Sequence, residues 1–214
     1  MRHDHHADVP AGDRHAAGEE LTLRIFEPRY RELVQTCLAA EVPAFGVVLI
    51  AAGREVGGGD TRCDVGALAR IVEYAEQPMG RYRLRCEVGE RIRVLEWLPD
   101  DPYPRAVIEP WPDEPGEPVG VDQLTELEDR MMALFERIAG AQGAELPPRH
   151  HLLGEPEPGQ GVAERLYTLA SRIPIGQADR YAVLAAPDPA ARLAALREAV
   201  ETVAAMVEFQ LSQD

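Results

Sequence analysis

The apolar positions of this chain follow two different rhythms, one in each half. Leu21, Leu23 and Ile25 alternate with Thr22 and Arg24, the period of a half-buried strand. Glu27-Pro28 then opens a helix, with proline suited to its first turn. Tyr30, Leu33, Val34, Cys37 and Leu38 continue it as an apolar stripe at helical spacing. The run Phe45–Ala51 is nearly all apolar and predicts a strand covered on both faces. GREVGGGD is a loop, Val65–Tyr74 a third strand, and Gly80 a turn. From Arg81 to Val88 the alternation is strict. Tyr82, Leu84, Cys86 and Val88 lie on one face, Arg81, Arg83, Arg85 and Glu87 on the other. Gly89-Glu90 interrupts before Ile92 and Val94 resume opposite Arg91 and Arg93, as in a hairpin or a bulged pair. Arg105–Glu109 is a last strand.

After Val121 the period becomes 3.6. Leu124, Leu127, Met131, Leu134, Phe135 and Ile138 line one helix, with Asp122 as its candidate cap. Residues 143–161 read as a Pro/Gly-rich loop, followed by helices over 162–171 and 177–185. Asp188-Pro189 starts a final helix that runs to about Leu211. The expected organisation is a tail over 1–20, a β domain over 21–112, a proline-rich linker over 113–120 and a helical bundle over 121–214. Residues 1–20 are polar and aperiodic and are expected to be disordered. Short strands around one main helix, then helices alone, make an α+β chain; such strands close most easily into a small barrel-like sheet.

Composition sharpens the picture mainly by what is missing. The 214 residues include no lysine and no asparagine, and all 22 basic residues are arginine. A Walker P-loop, a Ser–Lys dyad and Schiff-base chemistry all require lysine, and arginine does not release its proton near neutral pH. The net charge is −15. Residues 1–110 hold 14 arginines and 19 acids, and residues 111–214 hold 8 and 18. Such a field opposes bulk binding to nucleic acid or anionic membrane. Three cysteines without a C-x-x-C spacing fit reduced thiols in a cytoplasmic chain. No apolar run is long enough for a membrane span, and no secretory signal is evident.

No catalytic set and no metal site can be assembled. Ser171 falls within a helix and G-x-S-x-G is absent; each cysteine lies on an apolar face. His3, His5 and His6 lack a partner to complete a metal shell, and His150-His151 lacks the H-E-x-x-H spacing. Gly57-Gly58-Gly59 reads as a hairpin loop. No cofactor is expected. Arg81, Arg83, Arg85, Arg91 and Arg93 form a candidate surface patch for phosphate or acidic peptide. The opposing reading pairs them across strands with Glu87, Glu90, Glu96 and Glu109.

One string is more specific. Ile25-Phe26-Glu27-Pro28-Arg29-Tyr30, within LRIFEPRYRELVQTCLA, precedes FGVVLI, EVG, DVGALARI and GRYRLRCEVGERIRVLE. In that order and spacing the blocks resemble the substrate-binding N-terminal domain of Lon protease, and ASRIPIG with a short helix before DP is similar to the helical part that follows. The resemblance covers about 190 residues. It implies a PUA-like β pseudo-barrel followed by an all-α bundle. It also implies a free-standing, non-enzymatic module without ATPase or protease parts, one that engages exposed segments of client proteins. Contact would be apolar, in a groove between barrel and bundle, with strand addition at an open edge. The binding residues themselves are not identified. In the motif, Phe26 and Tyr30 are expected to plug the core, Pro28 to start the helix and Arg29 to pair with a nearby acid. Implied partners are unfolded or extended polypeptide and a separate ATP-dependent protease; membrane and nucleic acid are not expected. The family's opening apolar strand has no counterpart in residues 1–20, which leaves a sheet edge open to self-association. The competing function is an RNA-binding PUA-like protein. A small hydrolase comes last, because no nucleophile–base pair can be named.

Overall fold

The sheet is built on one long strand. The computed structural model describes residues 4–6, 20–52 and 61–212, and the chain divides after Pro112 into two compact units. In the first unit the strands are β1 (Asp4–His6), β2 (Glu20–Ile25), β3 (Ala44–Ala52), β4 (Thr61–Gln77), β5 (Arg81–Leu98) and β6 (Arg105–Pro110), with helix α1 at Pro28–Leu38. All pairings are antiparallel, in the order β1-β6-β5-β4-β3, and β2 also pairs with β5. One edge of β5 carries β4. Its other edge carries two strands end to end, β2 against Tyr82–Glu87 and β6 against Ile92–Leu98.

The α+β class holds, but the expected pseudo-barrel is corrected to an open sheet. Among the described residues no strand pairing joins β1 back to β3, so the ladder of hydrogen bonds stays open. The expectation for residues 1–20 is also corrected at two points. Asp4–His6 pair with Arg105–Val107, and Glu20 opens β2. Ladder hydrogen bonds are made by the backbone, so a three-residue edge strand leaves no apolar period to read. The GREVGGGD loop lies outside the described residues.

Periodicity becomes packing along β2 and α1. Leu21, Leu23 and Ile25 point inward, and α1 lays Tyr30, Leu33, Val34 and Cys37 onto them and onto Phe45, Leu84 and Cys86. β3 is covered on both faces, as its composition predicts. Phe45 and Val47 join this cluster, while Val48 joins a second with Ile92, Val94, Ala106 and Ile108. β4 and β3 approach so closely at Gly66 that a Cβ there would lie 2.2 Å from the Val47 carbonyl oxygen.

Gly89-Glu90 is a bulge inside β5, not a hairpin. The register on β4 moves from Ala69↔Val88 to Ala67↔Arg91, one extra residue on β5. A one-residue shift turns every later side chain to the other face. Val88 therefore packs in the first cluster, and Ile92 and Val94 in the second.

The second unit is helical: α2 (Val121–Gln142), α3 (Arg149–Leu153), α4 (Val162–Arg172), α5 (Gln177–Ala185) and α6 (Pro189–Leu211). Asp188 caps α6 as its spacing predicts, accepting from the Ala191 amide at 2.9 Å. Asp122, by contrast, lies in the first turn of α2 rather than at its cap, which is Gly120. The short α3 falls inside the stretch read as loop. Residues 113–120 are extended but held to the helices. Asp113 takes both guanidinium nitrogens of Arg192 at 2.6 and 3.1 Å, and the Glu114 amide donates to the Pro187 carbonyl at 2.9 Å. The segment falls within the second compact unit. Arg192 is fully buried and also lies over the Tyr167 ring, 4.2 Å from its centroid. No helix among the described residues is long and apolar enough to cross a membrane.

Candidate functional site: an arginine-lined groove beside Phe26

The solvent face of β2, β5 and β4 is a ladder of aligned rows. One row sets Thr22 beside Arg85 and Arg85 beside Glu73. The next sets Arg24 beside Arg83 and Arg83 beside Ala75, and the last sets Arg81 beside Gln77. Charge is compensated at one end of this face and not at the other. Arg85 donates through Nε to Glu73 at 2.8 Å and lies 3.7 Å from Glu20. The hydrogen bond to Glu73 is the main reason its pKa is held above the usual arginine value. Arg24, Arg81 and Arg83 have no ion-pair or side-chain hydrogen-bond partner among the described residues. Their cross-strand neighbours are one another, Ala75 and Gln77. Like charges directly opposite are unfavourable in a sheet, so the Arg24–Arg83 pair runs against local stability.

These arginines line a groove of about 600 Å³ together with Ile25, Phe26, Gln77 and Tyr82. It lies wholly on the first unit. Its lining residues Gln77 and Arg81 flank the tight turn Pro78–Gly80, where Met79 and Gly80 both have positive φ (68° and 67°). Arg31 of α1 donates to the Met79 carbonyl at 2.8 Å, which fixes the turn and brings another guanidinium to it. Phe26, 61% exposed, gives the groove an apolar side chain, and Met79 at the neighbouring turn is 76% exposed.

The motif residues divide between structure and surface. Pro28 occupies the first turn of α1, and Arg29 donates to Glu27 at 3.1 Å. Tyr30 is 4% exposed, in the core. The expectation that Phe26 also plugs the core is corrected. The period of two that turns Leu21, Leu23 and Ile25 inward turns residue 26 outward. That parity was present in the sequence; reading IFEPRY as one block hid it.

The five-arginine patch is likewise divided. The bulge after Val88 puts Arg91 and Arg93 on the face opposite Arg81, Arg83 and Arg85. Their guanidinium groups lie 4.1 and 3.9 Å from the centroid of the Trp111 ring. Arg91 is 7% exposed and donates through Nε to the Trp111 carbonyl at 3.0 Å. It fastens the end of the unit. Of the acids expected to pair with these arginines, Glu109 stands opposite Arg93 in register, whereas Arg85 takes Glu73 and Glu20 instead. Arg24 and Arg31 sit in segments whose period is set by their apolar positions, and no spacing in the sequence marks them as site residues.

Other chemistry does not converge. Cys37 and Cys86 are buried, and burial pushes both thiols up to about 12, far from a nucleophile's range. No group of three metal-ligating side chains occurs among the described residues.

The comparisons agree with one another. A family model described as the ATP-dependent protease La (LON) substrate-binding domain matches residues 19–202. Among solved structures, the Lon N-terminal domain protein from Xanthomonas campestris is similar at 22% identity and a TM-score of 0.60. That match covers 92% of this chain and 98% of that one. The N-terminal domain of Mycobacterium avium complex Lon protease is similar at 13% identity and a TM-score of 0.56, covering 91% and 94%. These identities bear on the fold alone. No curated protein matches the chain.

Proposed function

We propose, starting from the fact that this chain belongs to the ATP-dependent protease La (LON) substrate-binding domain family, that it recognises exposed segments of other polypeptides through the groove beside Phe26. The observation that carries the reading is an aromatic side chain of the motif standing in solvent at the rim of a groove. Removing such a ring from water is worth roughly 1.5–3 kcal/mol when burial is complete, so a folded chain gains nothing by leaving it out. A partner that covers it does gain. A non-catalytic role, a separate ATP-dependent protease as the recipient of captured clients, and a cytoplasmic setting belong to the same proposal.

The test is titration of a reduced and alkylated, permanently unfolded polypeptide against the protein, compared with Phe26→Ser. Saturable binding that weakens about tenfold or more in the variant, with unchanged thermal unfolding, supports the reading. Equal binding by the two proteins would move the client surface elsewhere.

A further inference from the structure

We infer that this groove selects acidic segments: clients whose carboxylates flank an apolar side chain. The inference rests on the proposal above and adds the chemistry of the ligand. Its basis is the charge pattern of one sheet face. The protein carries −15 overall, with acids outnumbering arginines by 37 to 22. In such a chain an exposed arginine readily meets a carboxylate, and Arg85, one row away, meets two. Among the described residues Arg24, Arg81 and Arg83 meet none, and the strand neighbours that could have supplied acids are Ala75 and Gln77. Arg31, anchored on the Met79 carbonyl, adds a further cation at the same end.

The arrangement fits an extended peptide better than a point anion. Arg81 and Arg83 are two residues apart on one strand, so their side chains project in the same direction about 6–7 Å apart. Carboxylates at alternate positions of an extended client repeat at that same spacing. A residue between or beside them reaches Phe26, and Met79 stands at the adjoining turn. Guanidinium groups take carboxylates in two-point hydrogen bonds, and the apolar contact keeps the ligand from being any polyanion. The protein's overall negative field repels acidic clients at long range. Selection therefore acts in the bound state, through dissociation rather than through steering.

The experiment uses the full chain and two fluorescent peptides, Glu-Phe-Glu-Val-Glu and its counterpart Gln-Phe-Gln-Val-Gln, read by anisotropy. Three exposed ion pairs together should favour the glutamate peptide by roughly tenfold at low salt, a preference that shrinks as salt rises. The double variant Arg81→Glu/Arg83→Glu should abolish the preference without moving the thermal unfolding curve, and should in turn bind Arg-Phe-Arg-Val-Arg. Arg24→Gln should halve the preference or more. Equal affinity for the two peptides, both lost in Phe26→Ser, would overturn acid selection and leave the client-binding reading intact. Binding of neither peptide, with the unfolded polypeptide also unbound, would overturn both. A single-stranded RNA that binds more tightly than the glutamate peptide, through the same arginines, would replace the peptide with nucleic acid and overturn the inference.

Discussion

Arginine is used in opposite ways in the helical unit and on one face of the sheet. In the helical unit it is held by carboxylates: Arg130, Arg137, Arg149, Arg165, Arg192 and Arg197 each lie within 4 Å of one or more. Two of them are core elements. Arg165 is buried against Glu128 and the Leu153 and Gly154 carbonyls, and Arg192 against Asp113. On the β2–β5–β4 face, Arg24, Arg81 and Arg83 are exposed and meet no acid among the described residues. Composition cannot tell these uses apart, because the same residue type serves both. The difference lies in whether the folded neighbours supply an acid. Where they do, arginine stabilises; where they do not, its charge is available to a ligand.

The largest effect should come from breaking the compensated kind. Asp113→Ala leaves the Arg192 guanidinium buried without its carboxylate and should cost about 3–5 kcal/mol. The measurement is the urea midpoint of the helical unit. A midpoint unchanged within error would mean that the Asp113–Arg192 contact is not part of the folded core.

A matched pair inside the motif gives the next contrast. Tyr30→Ala removes a buried ring and should cost about 3–5 kcal/mol, as large-to-small core changes do. Phe26→Ala, four residues earlier, should stay within about 0.5 kcal/mol. Equal destabilisation would place Phe26 in the core after all.

The buried thiols sharpen the comparison with pH. Cys37 and Cys86 have folded pKa values raised to about 12, against about 8.5 for an exposed thiol. Above pH 8.5 the unfolded chain releases protons that the native state keeps. Stability should therefore fall as pH rises from about 8.5 toward 12. At pH 8 a thiol reagent should label only Cys63 of the native protein's three cysteines. Rapid labelling of Cys86 in the native state would contradict the burial.

The smallest effect is on the uncompensated face. Arg24→Ala should leave stability unchanged or raise it by a few tenths of a kcal/mol, because Arg24 and Arg83 stand directly opposite each other. A clear loss would mean that an acid reaches Arg24 after all.

Much of this was legible in the chain. The alternation at Leu21–Ile25 and Tyr82–Val88, the α1 stripe and the Asp188 cap are local patterns, and local patterns are what periodicity reports. The IFEPRY string and the blocks after it carried the family. The candidate site was only half legible. The arginines of β5 were named, but their partners come from β2 and β4, and no spacing within β5 reveals which cross-strand neighbours are acids.

By itself, then, the sequence determined the class, the family and the alternation that turns Leu21, Leu23 and Ile25 of β2 and Tyr82–Val88 of β5 inward or outward. The tertiary structure decided the rest. Only the β4–β5 register shows that Gly89-Glu90 is a bulge that sends Arg91 and Arg93 to Trp111. Only the strand order shows that, among the described residues, β1 and β3 are not paired and the sheet stays open. And only the rows formed across β2, β5 and β4 set three arginines apart from any acid of the described residues. The physical reason is common to all three: register is a relation between segments distant in sequence, and charge compensation is settled by which side chains that register brings face to face.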